Sequence, residues 1–217
     1  RAALAEIFTK KYPKDDAARE AQVLADLSAA RMPGEENKRP SVETLLHSLF
    51  DKTFVLHLHP ALVNGLTCSV GGEKLAREIL GNEFIWVEAC KPGYILSKIC
   101  YDKMKEYEDV NGKQADIIIL QNHGIFFAAN TVDELDEMLV DVLCKLRERV
   151  TVDPFFESGE YDGEKAQKCF DVIDQIYDDD AVVTYEPSVE AIKYAASPEA
   201  AEAVMKPFTP DHIVYCR

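Results

Sequence analysis

Apolar positions along the chain follow two spacings, and each spacing predicts a kind of element. From Asp15 to Arg31 the residues Ala18, Ala21, Val23, Leu24 and Leu27 form a helical stripe, closed by the breaker-rich run Met32 to Lys38. A second helix is predicted from Pro40 and Ser41, with Val42, Leu45, Leu46 and Leu49 turned inward and Glu43 and His47 four apart on one side. The pattern then changes to a period of two between Thr53 and His59. Phe54, Leu56 and Leu58 face one way, and Val55, His57 and His59 face the other, until Pro60 ends the ladder. Ala115 to Leu120 is a short apolar run of the kind buried on both faces, and Ile125 to Ala129 is another. Between them, Gln121-Asn122-His123-Gly124 contains two residue types that tolerate tight turns, so the two runs are predicted to form a hairpin with His123 at its turn. Thr131 and Glu134 have capping-box spacing and open a helix whose inner stripe is Val132, Leu135, Leu139, Val142, Leu143 and Leu146.

Beyond Val150 the chain becomes acidic and broken. A helix from about Glu164 to Tyr177, an acidic turn at Asp178-Asp179-Asp180, a short strand near Val182 and two small helical segments are expected, followed by Thr209 to Tyr215. The chain contains no internal repeat or low-complexity tract. The expected organisation is a main domain over residues 1–150 and an extension, 151–217, packed on it.

With 217 residues and 47% hydrophobic content, the chain can bury a substantial core. No window approaches the roughly 18 consecutive apolar residues of a membrane span, and the first residues are amphipathic rather than signal-like, which points to the cytoplasm. A net charge of −15 opposes binding to nucleic acid and to anionic membranes. The six cysteines include no Cys-x-x-Cys pair, so reduced thiols are expected rather than a zinc knuckle or disulfide framework.

Three of the five histidines carry the chemistry. His57 and His59 share a strand face, an arrangement that alone does not separate a structural role from metal binding. With His123 at a turn beside another buried strand, they match a three-nitrogen site that leaves a coordination position open. Neutral imidazole suits zinc and its first-row neighbours, whereas calcium and magnesium prefer oxygen. Read by itself, Glu43 is a helix N-terminal carboxylate favoured by the macrodipole.

Pro-Ser-Val-Glu-Thr-Leu-Leu-His (40–47), His-Leu-His-Pro (57–60) and Leu-Gln-Asn-His-Gly (120–124) occur in this order, and over residues 39 to 149 the chain resembles the class II aldolase and adducin family of the fuculose- and rhamnulose-phosphate aldolase type. The tail, with Thr-Pro-Asp-His, resembles the longer members, in which the aldolase part is fused to a short-chain dehydrogenase. No Gly-x-Gly-x-x-Gly supports that second activity here.

The resemblance implies a three-layer α/β/α sandwich with a mainly antiparallel central sheet, a zinc ion or another divalent first-row metal held by His57, His59 and His123, and Glu43 as the acid/base carboxylate. It implies cleavage of a ketose 1-phosphate to dihydroxyacetone phosphate and an aldehyde through a metal-stabilised enediolate. It also implies a symmetric homo-oligomer, a ring-like tetramer in the family, with sites near subunit interfaces. Tyr94 and Tyr215 are candidates for a proton donor, and His212 reads as an exposed turn residue. Asn122 and Gly124 are expected to shape the turn that aims His123, Gly93 to serve a backbone need, and His47 to pack or support the site. The family's Gly-Asn and Ser-Gly phosphate loops have no counterpart here; the resemblance places them upstream of Arg1. Two other readings stay open: a sugar-phosphate epimerase or dehydratase using the same metal chemistry, and a non-catalytic adducin-like interaction domain.

Overall fold

Residues 1–152, 157–177, 181–207 and 209–215 are described by a computed structural model. Its strands are β1 (Phe54–Leu58), β2 (Ile85–Val87), β3 (Ile117–Leu120) and β4 (Gly124–Ala129), joined in one sheet in the order β1-β4-β3-β2. The helices are α1 (Ala2–Ile7), α2 (Asp16–Ala29), α3 (Thr44–Ser48), α4 (Ala61–Thr67), α5 (Gly72–Leu80), α6 (Tyr94–Asn111), α7 (Val132–Arg147), α8 (Gly163–Ile173), α9 (Val189–Ala195), α10 (Pro198–Met205) and α11 (Pro210–Tyr215). The chain forms two compact units. One runs from Arg1 to Arg149 and includes α11, and the other from Val150 to Pro207.

β3 and β4 form the hairpin that the turn residues predict, with Leu120 opposite Gly124, and β1 pairs antiparallel with β4. β2 is parallel to β3. A parallel neighbour needs a crossover, and α6 provides it. Strand alternation sends Ile118, Leu120, Phe126 and Ala128 to one face, where Leu46, Phe50, Leu96, Cys100 and Met104 cover them. Ile119, Ile125 and Phe127 go to the other face, under Val63, Leu66, Ala76, Val142 and Leu146. Helices thus flank both faces of a mainly antiparallel sheet, giving the expected three-layer α/β sandwich. Each fully buried Phe, Ile or Leu contributes about 1.5–3 kcal/mol. On the α3 and α6 side, α1 and α2 add a further cluster of Ile7, Phe8, Val23 and Leu27 against Leu45 and Tyr94.

The structure differs from the sequence reading in several places. The helix expected from Pro40 begins only at Thr44, because the Ser41 hydroxyl accepts the Glu43 N–H (3.1 Å) and holds a turn there; Val42 is exposed rather than inward. Val132 is also exposed, since the first residue of α7 lies on the rim. The capping box formed by Thr131 and Glu134 is present. No strand forms near Val182 among the described residues. An isolated bridge joins Ser158 to Ser188 instead. The helix expected to reach Tyr177 ends at Ile173, and the acidic turn at 178–180 lies outside the described residues. His212 sits in α11 and is half-buried, not an exposed turn residue. Cys68, Cys90, Cys100, Cys144 and Cys169 are free thiols, and Cys216 lies outside the described residues. Among the described residues, no helix is long and apolar enough to cross a membrane.

Candidate metal centre

β1 presents His57 on the sheet face that carries Phe126, and His59 follows just past its end, with the two Nε2 atoms 3.0 Å apart. His123 arrives from the hairpin turn. Asn122 takes a left-handed conformation (φ 57°), and its N–H donates to the Thr67 carbonyl (3.2 Å), while Gln121 N–H donates to Val87 (2.9 Å). The turn is therefore pinned to the ends of α4 and β2, and His123 is buried. One ring nitrogen from each of His57, His59 and His123 lies within 4.8 Å of the others.

Glu43 caps α3 beside them, its Oε1 3.6 Å from His57 Nε2 and 3.5 Å from His123 Nε2. The hydrogen bond from His123 is the main cause that holds its carboxyl below the ordinary value, and the neighbouring imidazoles add to it. Glu43 is thus ionised at neutral pH. His57 is stacked on Phe126 (centroids 4.0 Å apart, planes 11° apart), and its Nδ1 lies 3.0 Å from the Ile125 carbonyl. Burial pushes its pKa down to about 4, so it is neutral. His59 has its Nδ1 3.2 and 3.3 Å from the two carboxylate oxygens of Asp211.

These partners decide whether a cation fits. A carbonyl and a carboxylate only accept, so both Nδ1 atoms carry a hydrogen, and in the neutral form of each ring Nε2 presents a lone pair. Two lone pairs facing each other at 3.0 Å repel unless a proton or a metal ion lies between them. A third imidazole on the same space completes a three-nitrogen donor set suited to a first-row divalent ion, with the Glu43 carboxylate beside it.

Gly124 has a different role from the one expected. Its φ is not positive, so Asn122 supplies the turn conformation. A Cβ at Gly124 would meet His59 Cδ2 at 2.5 Å and the Leu58 carbonyl oxygen at 2.5 Å, so the glycine makes room for the imidazoles. Gly93 does meet a backbone need, with φ of 140° at the N-cap of α6, where the Glu20 carboxylate accepts the Tyr94 N–H. His47 packs edge-on against Phe126 (5.3 Å) and is not among the clustered ring nitrogens. Tyr94 is buried in the α1 and α2 cluster against Tyr12, and the Tyr215 side chain lies outside the described residues. The sequence reading missed Asp211. Its only signal was a place beside His212 in the Thr-Pro-Asp-His tail.

A family model described as the class II aldolase and adducin N-terminal domain matches residues 5–142. The chain belongs to that family. The match begins upstream of the three motifs and takes in α2. Among curated proteins, an uncharacterized oxidoreductase of Bacillus subtilis (strain 168), YuxG, is 28% identical over 120 residues. Those residues are 55% of this chain and 17% of that protein, so the chain spans only a small part of its relative. Among solved structures, the N-terminal class II aldolase domain of a conserved protein from Thermoplasma acidophilum is 24% identical, with a TM-score of 0.50 over 67% of this chain and 62% of that one. That likeness is one of fold.

Proposed function

We propose that the chain is a zinc-dependent aldolase of the fuculose- and rhamnulose-phosphate type, splitting a ketose 1-phosphate into dihydroxyacetone phosphate and an aldehyde. The observation that carries this reading is the Glu43 carboxylate oxygen lying 3.5 and 3.6 Å from ring nitrogens of a three-histidine cluster. His57, His59 and His123 would hold the ion. When bound, it supplies the positive charge that stabilises negative charge developing on the ketose oxygens. Zinc or a first-row neighbour suits three neutral imidazoles.

Glu43 takes the proton from the hydroxyl on the carbon that becomes the aldehyde. As the adjoining carbon–carbon bond breaks, its electron pair passes to the three-carbon fragment, which is later protonated. Because Glu43 is held in its ionised form, it needs no prior proton loss to act as the base. His57, fixed by Phe126 and the Ile125 carbonyl, keeps the floor of the site rigid. A symmetric homo-oligomer is the proposed assembly.

Elemental analysis of the purified protein, followed by a screen of ketose 1-phosphates for aldehyde release, tests the proposal. One first-row metal per chain and cleavage of at least one substrate are expected. Glu43→Gln should keep the metal and lose about 10² to 10⁴ in turnover. Metal-loaded protein that rearranges or dehydrates the sugars without cleaving them would replace the aldolase by an epimerase or dehydratase. A chain that binds no metal would overturn the reading.

A further inference from the structure

We infer that Asp211 is a positioning residue for the metal centre, its carboxylate fixing both the tautomer and the ring orientation of His59. This inference rests on the metal reading above. His57 and His59 are held by different means. The His57 ring has Phe126 stacked beneath it and a side-chain exposure of 8%. The His59 side chain is 22% exposed and, among the described residues, stacks on no phenyl ring. Phe126 thus backs the first imidazole face to face, whereas the second meets only the edges of His57 and His123 and is gripped at Nδ1. Asp211 provides that grip with both oxygens, at 3.2 and 3.3 Å.

The chemistry follows from the acceptor. A free neutral imidazole places its hydrogen on either nitrogen, and a hydrogen on Nε2 would occupy the position a metal needs. A carboxylate at Nδ1 keeps the hydrogen there and turns the Nε2 lone pair toward His57 Nε2, 3.0 Å away. The placement of Asp211 has its own support, since Thr209 Oγ accepts the His212 N–H (3.2 Å) and sets the first turn of α11. The Asp211 side chain is 47% exposed, so water screens its charge and the geometric effect outweighs the Coulombic one. A residue 152 positions along the chain from His59 thus completes the site.

Chelator competition with Zn²⁺ on the metal-free full chain measures this directly, alongside the visible spectrum of the Co²⁺ form. Asp211→Ala should bind metal about 10- to 100-fold more weakly and shift the Co²⁺ spectrum. Asp211→Asn retains an oxygen that accepts from Nδ1, so its affinity should stay close to wild type. The thermal midpoint of the metal-free protein should be the same in all three. Wild-type affinity in Asp211→Ala overturns this inference alone and leaves the metal reading standing. A drop in metal-free stability that accounts for the lost affinity also overturns it, by making the contact merely structural. A wild-type chain that binds no metal overturns the metal reading and this inference with it.

Discussion

Gly124→Ala adds a single methyl group where the structure has no room for one. The new Cβ would stand 2.5 Å from His59 Cδ2, 2.5 Å from the Leu58 carbonyl oxygen and 3.4 Å from His57 Cε1. Ordinary carbon contacts lie at about 3.5–4.0 Å, so about 1 Å must be found on two sides at once. The His59 ring can retreat, but the Leu58 carbonyl is main chain in a strand whose partner at that position is Ile125, so the end of the β1–β4 ladder must open. Overpacking of this kind costs about 1–3 kcal/mol, which in a chain of this size lowers the melting temperature by roughly 2–12 °C. The greater effect is on the site. Metal–ligand distances tolerate about 0.2 Å, so a ring displaced by about 1 Å ceases to be a ligand in the original geometry. Scanning calorimetry of the metal-free protein and chelator competition for Zn²⁺ would measure the two effects, with at least a tenfold loss of affinity expected. Asn122→Gly serves as the comparison, because glycine adopts the same φ of 57° and should leave the affinity near wild type. A Gly124→Ala protein with unchanged melting temperature and unchanged metal affinity would refute the reasoning.

Stability of the metal-free protein should fall on acidification. The His57 pKa is about 4 in the folded chain against roughly 6.5 unfolded, so between these values the unfolded state binds the extra proton, and the depressed Glu43 carboxyl extends the loss to lower pH. Denaturant midpoints should therefore be lower at pH 5 than at pH 7, and an equal or higher midpoint at pH 5 would contradict this. Thr131→Ala removes the hydroxyl that accepts the Glu134 N–H at the start of α7 and should cost about 1 kcal/mol in chemical denaturation without changing metal affinity; an altered affinity would show that α7 is coupled to the site. Burial pushes the Cys100 thiol up to about 12, so a thiol reagent at pH 8 should label the exposed Cys144 and Cys169 first, and early labelling of Cys100 in native protein would count against the packing described.

The parts of the fold that were legible in the sequence are those with a regular alternation of apolar positions. β1, the β3–β4 hairpin and α7 follow strict periods and end in strong signals, Pro60, Asn122 and Thr131. Between Pro60 and Gln114 the sequence pattern predicts no element, although the stretch holds α4, α5, β2 and α6. β2 has only three residues, too few to show a period, and its place beside β3 depends on a crossover rather than a turn. The buried side of α6 includes Tyr94, Ser97, Cys100 and Met104, a mixed set that does not stand out as a hydrophobic stripe. In the site, the His-x-His spacing and the turn histidine point to their roles locally. Asp211 does not, because its contact with His59 exists only once the chain end has folded back. The space requirement at Gly124 was hidden for a similar reason: the colliding atoms belong to Leu58 and His59, far from it in sequence.

Phe126 under His57 also makes the centre observable without a label. Carbon-bound protons of an imidazole lying 4.0 Å above a parallel phenyl ring are shielded by its circulating π electrons, which moves their NMR signals upfield of those of a solvated histidine. Few histidines compete for that spectral region, since the whole chain has five. The His57 resonance is thus an internal magnetic gauge of the ring's height over Phe126. In a titration it would separate ion capture by rings already in place from capture that first requires the rings to move.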